Sequence, residues 1–179
     1  MFITPVDHEP NLFQVQHAVS VDLMQQIQRT DWLSQPWIPQ EGQESWSRRR
    51  LINQNLSWID QWDKELSSRW NLIETAVGRP LQPYAGTAWW VDEPGFTCTM
   101  HTDGEMPGSL HLVWQGPGTA FYWYKKETTL RWQTPATANA GYIMINQPEP
   151  DGSRKLLWHA MLTPSNDYRV TSYSWITPQ

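Results

Sequence analysis

The chain has 179 residues, a formal net charge of −5, 39% hydrophobic and 17% charged residues, and 13 tryptophans. That length suits one core burying roughly 70% of the extended-chain surface, and the composition excludes a disordered chain. The negative balance offers no long-range attraction for nucleic acid, and no apolar run approaches the ~18 residues of a membrane span, so a cytoplasmic protein with no nucleic-acid or membrane partner is expected.

Residues 1 to 19 mix proline and polar residues around one short strand, NLFQVQHAV, with His8 and His17 as surface or edge residues. From Ser20 the pattern turns helical: Ser20 is placed to cap, and Leu23, Met24 and Ile27 share one face until the proline-containing stretch at Pro36. Residues 37 to 54 have no sustained period and read as loop with a short strand. Within them, Arg48-Arg49-Arg50 could hold one phosphate or carboxylate, although a solvated turn is the simpler reading. A second helix is clear, because Ile59, Trp62, Leu66, Trp70, Ile73 and Val77 recur at helical spacing. Ser57 and Asp60 resemble a capping box, Gly78 before Arg79-Pro80 is a stop, and Trp62 and Trp70 belong to the core.

After Pro83 the chain reads as sheet. Residues 85–91, 97–101, 109–114, 120–125, 128–132, 141–146, 156–160 and 169–175 are short, aromatic or β-branched, and separated by turn residues. About eight antiparallel strands without intervening helices predict a mainly β fold, a jelly roll or double-stranded β-helix of the cupin-like kind, with two N-terminal helices outside the sheet. The expected organisation is a single domain, 1–179, with helical support over 20–78 and a catalytic core over 84–176. Gly116-Pro117-Gly118 is a sharp turn, and the single cysteine, Cys98, is read as packing filler on the strand face opposite His101.

His101 and Asp103 are two apart, so an extended chain points both to one face; the spacing alone equally fits two polar residues at a strand end. His159 is the strongest candidate for a third ligand. Two imidazoles and one carboxylate on adjacent positions leave the opposite side of a divalent ion open, the arrangement of non-heme iron oxygenases. Ten residues after His159 comes Arg169, with Thr171 two further on. An arginine fork grips a carboxylate, a threonine hydroxyl adds a hydrogen bond, and 2-oxoglutarate is a cosubstrate with one end for the metal and one for the arginine.

The ordered set HxD, distal histidine and RxT, together with AWWVDEPGFTCTMHTD, GTAFYWY, AGYIMIN and WHAMLTPSNDYRVTSYSW, resembles the iron(II)- and 2-oxoglutarate-dependent dioxygenases, most of all their prolyl-4-hydroxylase-like branch. The resemblance runs from about Tyr84 to Trp175. It implies His101, Asp103 and His159 as the ligands of Fe(II), Arg169 and Thr171 as the distal carboxylate anchor, and molecular oxygen as co-reactant. Where relatives commonly carry a tyrosine before HxD, this chain has Trp89 and Trp90. Trp90 and Tyr122 are therefore candidates at the cosubstrate, and Trp89 and Tyr124 in a substrate groove; Tyr84 is placed early for that role. Halogenating relatives lack the carboxylate ligand, so Asp103 points to hydroxylation. The implied substrate is a prolyl residue of a peptide or protein, with a free amino acid or small metabolite as the alternative. A cupin-like enzyme or a non-catalytic metal-binding jelly-roll module is the further reading. His111 could face the cavity or pack in the sheet.

Overall fold

The computed structural model describes residues 1–38, 49–52, 56–103, 106–116, 120–125, 129–135, 137–148, 154–155, 158–162 and 166–179. In chain order the elements are β1 (Phe2–Val6), β2 (Glu9–Gln16), α1 (Val21–Arg29), β3 (Trp37–Ile38), β4 (Arg49–Ile52), α2 (Ile59–Ser68), α3 (Trp70–Val77), β5 (Thr87–Asp92), β6 (Thr97–His101), β7 (Gly108–Gln115), β8 (Ala120–Lys125), β9 (Thr129–Pro135), β10 (Ala140–Ile145), β11 (Gln147–Pro148), β12 (Arg154–Lys155), β13 (Trp158–Leu162) and β14 (Arg169–Trp175). Among the described residues every strand pairing is antiparallel. An eight-stranded sheet has the order β1-β2-β10-β7-β14-β5-β4-β3, a four-stranded sheet the order β6-β13-β8-β9, and β11 and β12 form a separate pair. This mainly β architecture, with its eight-stranded sheet, resembles a jelly-roll core. Among the described residues the strand count exceeds the expected eight because N-terminal segments lengthen the large sheet at both edges, β1 and β2 beyond β10, β3 and β4 beyond β5, and because β11 and β12 form a pair of their own.

Strand alternation divides the large sheet into two faces. One face contributes Phe13, Val15, Trp89, Val91, Leu110, Leu112, Trp114, Ile143, Ile145 and Val170 to a core that also holds Leu23 and Ile27 of α1, Trp62 and Leu66 of α2, and Trp70 and Ile73 of α3. Tryptophan bulk is concentrated there. Trp89 meets Trp32, Trp58, Trp62 and Trp114 at ring-centroid distances of 4.8 to 5.8 Å. Several indole N–H groups find partners: Trp62 donates to Thr87 Oγ1 at 2.9 Å and Trp114 to Ser172 Oγ at 2.9 Å, so these rings bury without stranding a donor. The opposite face contributes Leu12, Val113, Tyr142 and Met144 to a second cluster with Phe96 and Cys98.

Among the described residues the N-terminal helices are three, not two. The apolar stripe is continuous from Ile59 to Val77, but Arg69 takes φ −106° and ψ 2° and separates α2 from α3. Its guanidinium donates to Ala18 O at 2.6 Å and Glu65 Oε2 at 3.3 Å, so the break tethers the helices to the end of β2's segment. Ser57 does not cap: the residue before α2 is Trp58, with no side-chain capping bond. Ser20 does cap, its hydroxyl accepting from Leu23 N–H, while Glu65 accepts both its N–H at 2.8 Å and its O–H at 2.6 Å. Glutamate usually completes a capping box from three residues on; here another helix supplies it. Gly78 ends α3 in the left-handed region at φ 77°, as expected of that glycine.

Candidate metal centre

β6 and β13 are neighbours, and their register sets His159 directly opposite His101. Asp103 follows the end of β6. Its Oδ1 lies 3.5 Å from Nε2 of His101 and 3.5 Å from Nε2 of His159, and the three ligand atoms all fall within 4.8 Å of one another. Donors about 2.0–2.2 Å from one ion and at right angles to each other stand about 3 Å apart, so this spacing fits a single small cation. The residues pass a second test of fit: Asp103 Oδ2 is buried with no hydrogen-bond partner among the described residues, an atom whose desolvation a cation would offset. His159 is buried, while His101 and Asp103 are partly open.

Burial alone would raise the Asp103 carboxyl, but the hydrogen bond from His101 and the adjacent imidazoles outweigh it and hold its pKa at about 2. It is a carboxylate at neutral pH. Two imidazole nitrogens with one carboxylate oxygen suit a borderline divalent ion such as Fe(II).

The triad opens into a cavity of about 210 Å³ whose other walls come from both sheets and the segment after Asp103: Arg49, Ala88, Trp90, Cys98, Met106, His111, Tyr173 and Trp175. Cross-strand register explains the large-sheet wall. Arg49, Asp92 and Arg169 form one row across β4, β5 and β14; Leu51, Trp90 and Thr171 form the next; Ala88, Tyr173, His111 and Tyr142 form a third across β5, β14, β7 and β10. Asp92 receives Arg49 Nε on Oδ1 at 2.6 Å and Arg169 Nε on Oδ2 at 2.8 Å, while Arg169 Nη2 also bonds Oδ2. Burial would raise the Asp92 carboxyl, but the two guanidiniums hold it below the usual carboxylate range.

His111 stacks on Tyr142 at 4.8 Å and meets Tyr173 edge-on at 4.3 Å. Desolvation, aided by His159 and the two arginines against the pull of Asp103, pushes its pKa down to about 3, so it faces the cavity as a neutral imidazole. Burial raises the Tyr173 phenol, whose hydroxyl donates to Met106 Sδ at 3.8 Å.

The sequence-derived residues divide as follows. His101, Asp103 and His159 come together, and Trp90 lines the cavity beside them. Arg169 and Thr171 lie on the cavity's side of β14 but are buried behind its surface, Arg169 at 0% exposure. Trp89, one residue from Trp90, points to the other face and is fully buried among the core tryptophans. The side chains of Tyr122 and Tyr124 lie outside the described residues. Tyr84 is on the helix side, bonding Asp63 Oδ1 at 2.7 Å.

Besides Trp89, which leaves the expected substrate groove for the core, two further readings change. Cys98 is not on the face opposite His101: its Sγ lies 3.4 Å from His101 Nδ1 and lines the cavity. The register explains this, since three residue steps from Cys98 to His101 oppose two from Met161 to His159, a bulge that cancels the alternation. Arg49 is not part of a solvated turn. It is a β4 residue locked to Asp92 with its guanidinium 4.9 Å from the Trp90 ring centre and 4.8 Å from that of Phe96. Its neighbour Arg50 pairs with Glu93, and Arg48 lies outside the described residues. Met106, Tyr173 and Trp175 were not singled out by motif; the signal available was their place at alternate positions after RxT and just beyond HxD.

No family model and no curated protein matches the chain. Solved structures do. A Pseudomonas putida prolyl-4-hydroxylase matches with a TM-score of 0.63 at 13% identity, over 94% of this chain and 93% of that one. A viral collagen prolyl hydroxylase from Paramecium bursaria Chlorella virus-1, solved as a 2-oxoglutarate complex, matches at 0.60 and 12% over 94% and 96%. The non-heme α-ketoglutarate-dependent epimerase SnoN of nogalamycin biosynthesis matches at 0.63 and 9% over 94% and 78%. The chain therefore has the fold of these structures. It carries within that fold a His-Asp-His triad consistent with binding of Fe(II) and 2-oxoglutarate.

Proposed function

We propose that the protein is an iron(II)- and 2-oxoglutarate-dependent oxygenase that hydroxylates an unactivated carbon. The observation that carries this reading is the convergence of His101, Asp103 and His159 at one end of a cavity that has aromatic walls and an arginine. His101 and His159 would hold iron through Nε2 and Asp103 through its carboxylate, with Cys98 against the outer nitrogen of His101. When bound, iron with 2-oxoglutarate and dioxygen supplies oxidative decarboxylation to succinate and carbon dioxide, with transfer of an oxygen atom to a C–H bond. The chain's own part is positioning. The buried Arg49–Asp92–Arg169 row with Thr171 supplies the cationic end for the cosubstrate's far carboxylate, and Trp90, Tyr173 and Trp175 exclude water from the space between. We assign Tyr122 to the cosubstrate and Tyr124 to the substrate groove on the family pattern alone.

The substrate class that the resemblance favours is a prolyl residue of a peptide or protein, whose ring suits aromatic walls. The cavity's volume of about 210 Å³ also favours the second reading, a free amino acid or small metabolite. The test is succinate release by the Fe(II)-loaded protein under oxygen with a panel of proline-containing peptides and free amino acids. Stimulation by one set selects the substrate class. Metal retention with no stimulated turnover by any member supports the cupin-like or passive-metal reading instead. Cytoplasmic localisation is proposed on the single cysteine; no helix among the described residues is long and apolar enough to cross a membrane.

A further inference from the structure

His111 lines the cavity, yet its Nε2 is buried with no hydrogen-bond partner among the described residues. A neutral imidazole nitrogen either donates or accepts, and here it does neither. A polar atom left so in a cavity wall is accounted for when a ligand supplies the partner. The ring is also held in advance. Tyr142 stacks on it at 4.8 Å with an interplanar angle of 12°, and Tyr173 meets it at 4.3 Å and 82°. A half-turn of the ring in this slot exchanges nitrogen and carbon positions without changing its outline, so a nitrogen turns to a ligand without displacing either tyrosine. Little rotamer freedom remains to be lost on binding.

The place of His111 in the sheet decides which reactant it faces. Tyr173, directly opposite it, stands four residues beyond Arg169 along β14, about 13 Å at the rise of a strand. The carbon chain of a five-carbon diacid spans no more than about 6 Å, at about 1.5 Å per bond. An acid held at the arginine row therefore lies over the row of Trp90 and Thr171, and His111 is left to the other reactant. That half of the cavity, with Ala88, Met106, Tyr173 and Trp175, has no charged side chain among the described residues. The Tyr173 hydroxyl is engaged with Met106 Sδ at 3.8 Å, so the imidazole is the hydrogen-bonding group there. A zwitterion would bring an ammonium and a carboxylate into this half without a counter-charge, a cost that an uncharged amide avoids.

We infer that His111 hydrogen-bonds an uncharged amide of the molecule to be oxidised, as of a residue inside a peptide, and selects it over a free amino acid. This rests on the oxygenase reading above and chooses between its two substrate classes.

The experiment uses the Zn(II)-loaded protein with 2-oxoglutarate, isotope-labelled at the histidine ring nitrogens, because diamagnetic zinc keeps the magnetic resonance signals sharp. The His111 signals are those lost in His111→Phe, which keeps an aromatic ring between Tyr142 and Tyr173. The probes are N-acetyl-L-prolinamide and L-proline, which share a ring and differ in charge. The amide shifts the His111 nitrogens and binds more tightly than the amino acid by about tenfold or more. His111→Phe weakens the amide roughly three- to tenfold, the size of one hydrogen bond, and His111→Gln, which restores a donor and an acceptor, recovers part of the loss. Affinity for 2-oxoglutarate, read from the visible charge-transfer band of the Fe(II)-loaded protein without oxygen, changes by less than about twofold in both variants. Equal affinities for the two probes, an amide affinity unchanged in His111→Phe, or an amide that does not bind while the band forms overturns the inference. A shift of the His111 nitrogens by 2-oxoglutarate alone, as large as that caused by the amide, places the imidazole at the acid and overturns it as well. Absence of the band in the native protein is the separate result that sinks the oxygenase reading, and this inference with it.

Discussion

Asp103 illustrates how much one residue decides. It touches both histidines through one oxygen and keeps the other buried without a partner among the described residues, so Asp103→Ala removes the one anionic group of the triad. Metal-dependent turnover should fall below detection in Asp103→Ala and in His159→Ala, with the far-ultraviolet circular dichroism unchanged; full turnover in either variant refutes the triad. His111 carries a pH prediction. Its folded pKa, about 3, lies below the unfolded value near 6.5, so the stability it protects is complete above pH 6.5 and is lost as pH falls toward 3. Denaturant melts of the metal-free protein should show stability declining by up to about 1.4 kcal/mol per pH unit in that window, and His111→Phe should flatten the decline. Asp92 and Glu65 have depressed folded pKa values and are stabilising above about pH 4, so the loss steepens below that. The HxD pair was legible in sequence from its two-residue spacing, and the distal histidine from its place in an apolar strand ten residues before RxT. Cys98 was not, since a bulge in β6 shifts the face by one residue and nothing local announces it.

At the scale of elements, the eight C-terminal strands were legible because each is a short aromatic or β-branched run closed by turn residues, and all eight occur within a few residues of the expected bounds. Which face each strand presents was less so. In β5 either alternation is chemically sensible, Trp89 in or Trp90 in, and only the packing of α1 and α2 against one side selects Trp89 for the core. The two should consequently behave differently. Trp89→Ala is expected to cost about 3–5 kcal/mol in chemical denaturation, as for a large buried aromatic, while Trp90→Ala weakens cosubstrate binding more than stability. Equal stability losses would show that the faces are misassigned. The break at Arg69 was invisible because the apolar stripe runs through it; there the Arg69 guanidinium ties the chain to Ala18 O, 51 residues away in sequence, and to Glu65 one turn back. Close strand approach is a further constraint of this kind: a Cβ on Gly141 would stand 1.9 Å from His111 O, so Gly141→Ala should disturb the β7–β10 pairing that carries His111.

For the whole molecule, the two sheets divide the work. The four-stranded sheet carries His101 and His159, and the large sheet presents the arginine row, Trp90, His111 and Tyr173 to them, with the helices and their tryptophans behind the opposite face. The cavity is thus set between a wall that carries the two histidines and a wall that carries the arginine row and aromatic rings, each fixed by hydrogen-bonded register. A fold shared at 9 to 13% identity with two prolyl hydroxylases and an epimerase does not choose among reactions, so the reaction must be read from the site. The most direct test is anaerobic addition of 2-oxoglutarate to the Fe(II)-loaded protein, followed in the visible range. A charge-transfer band that saturates with added acid, and that is absent from Asp103→Ala, is the result predicted for bidentate chelation at this triad. Iron that binds without any such band contradicts the account and leaves a metal-binding jelly roll with another purpose.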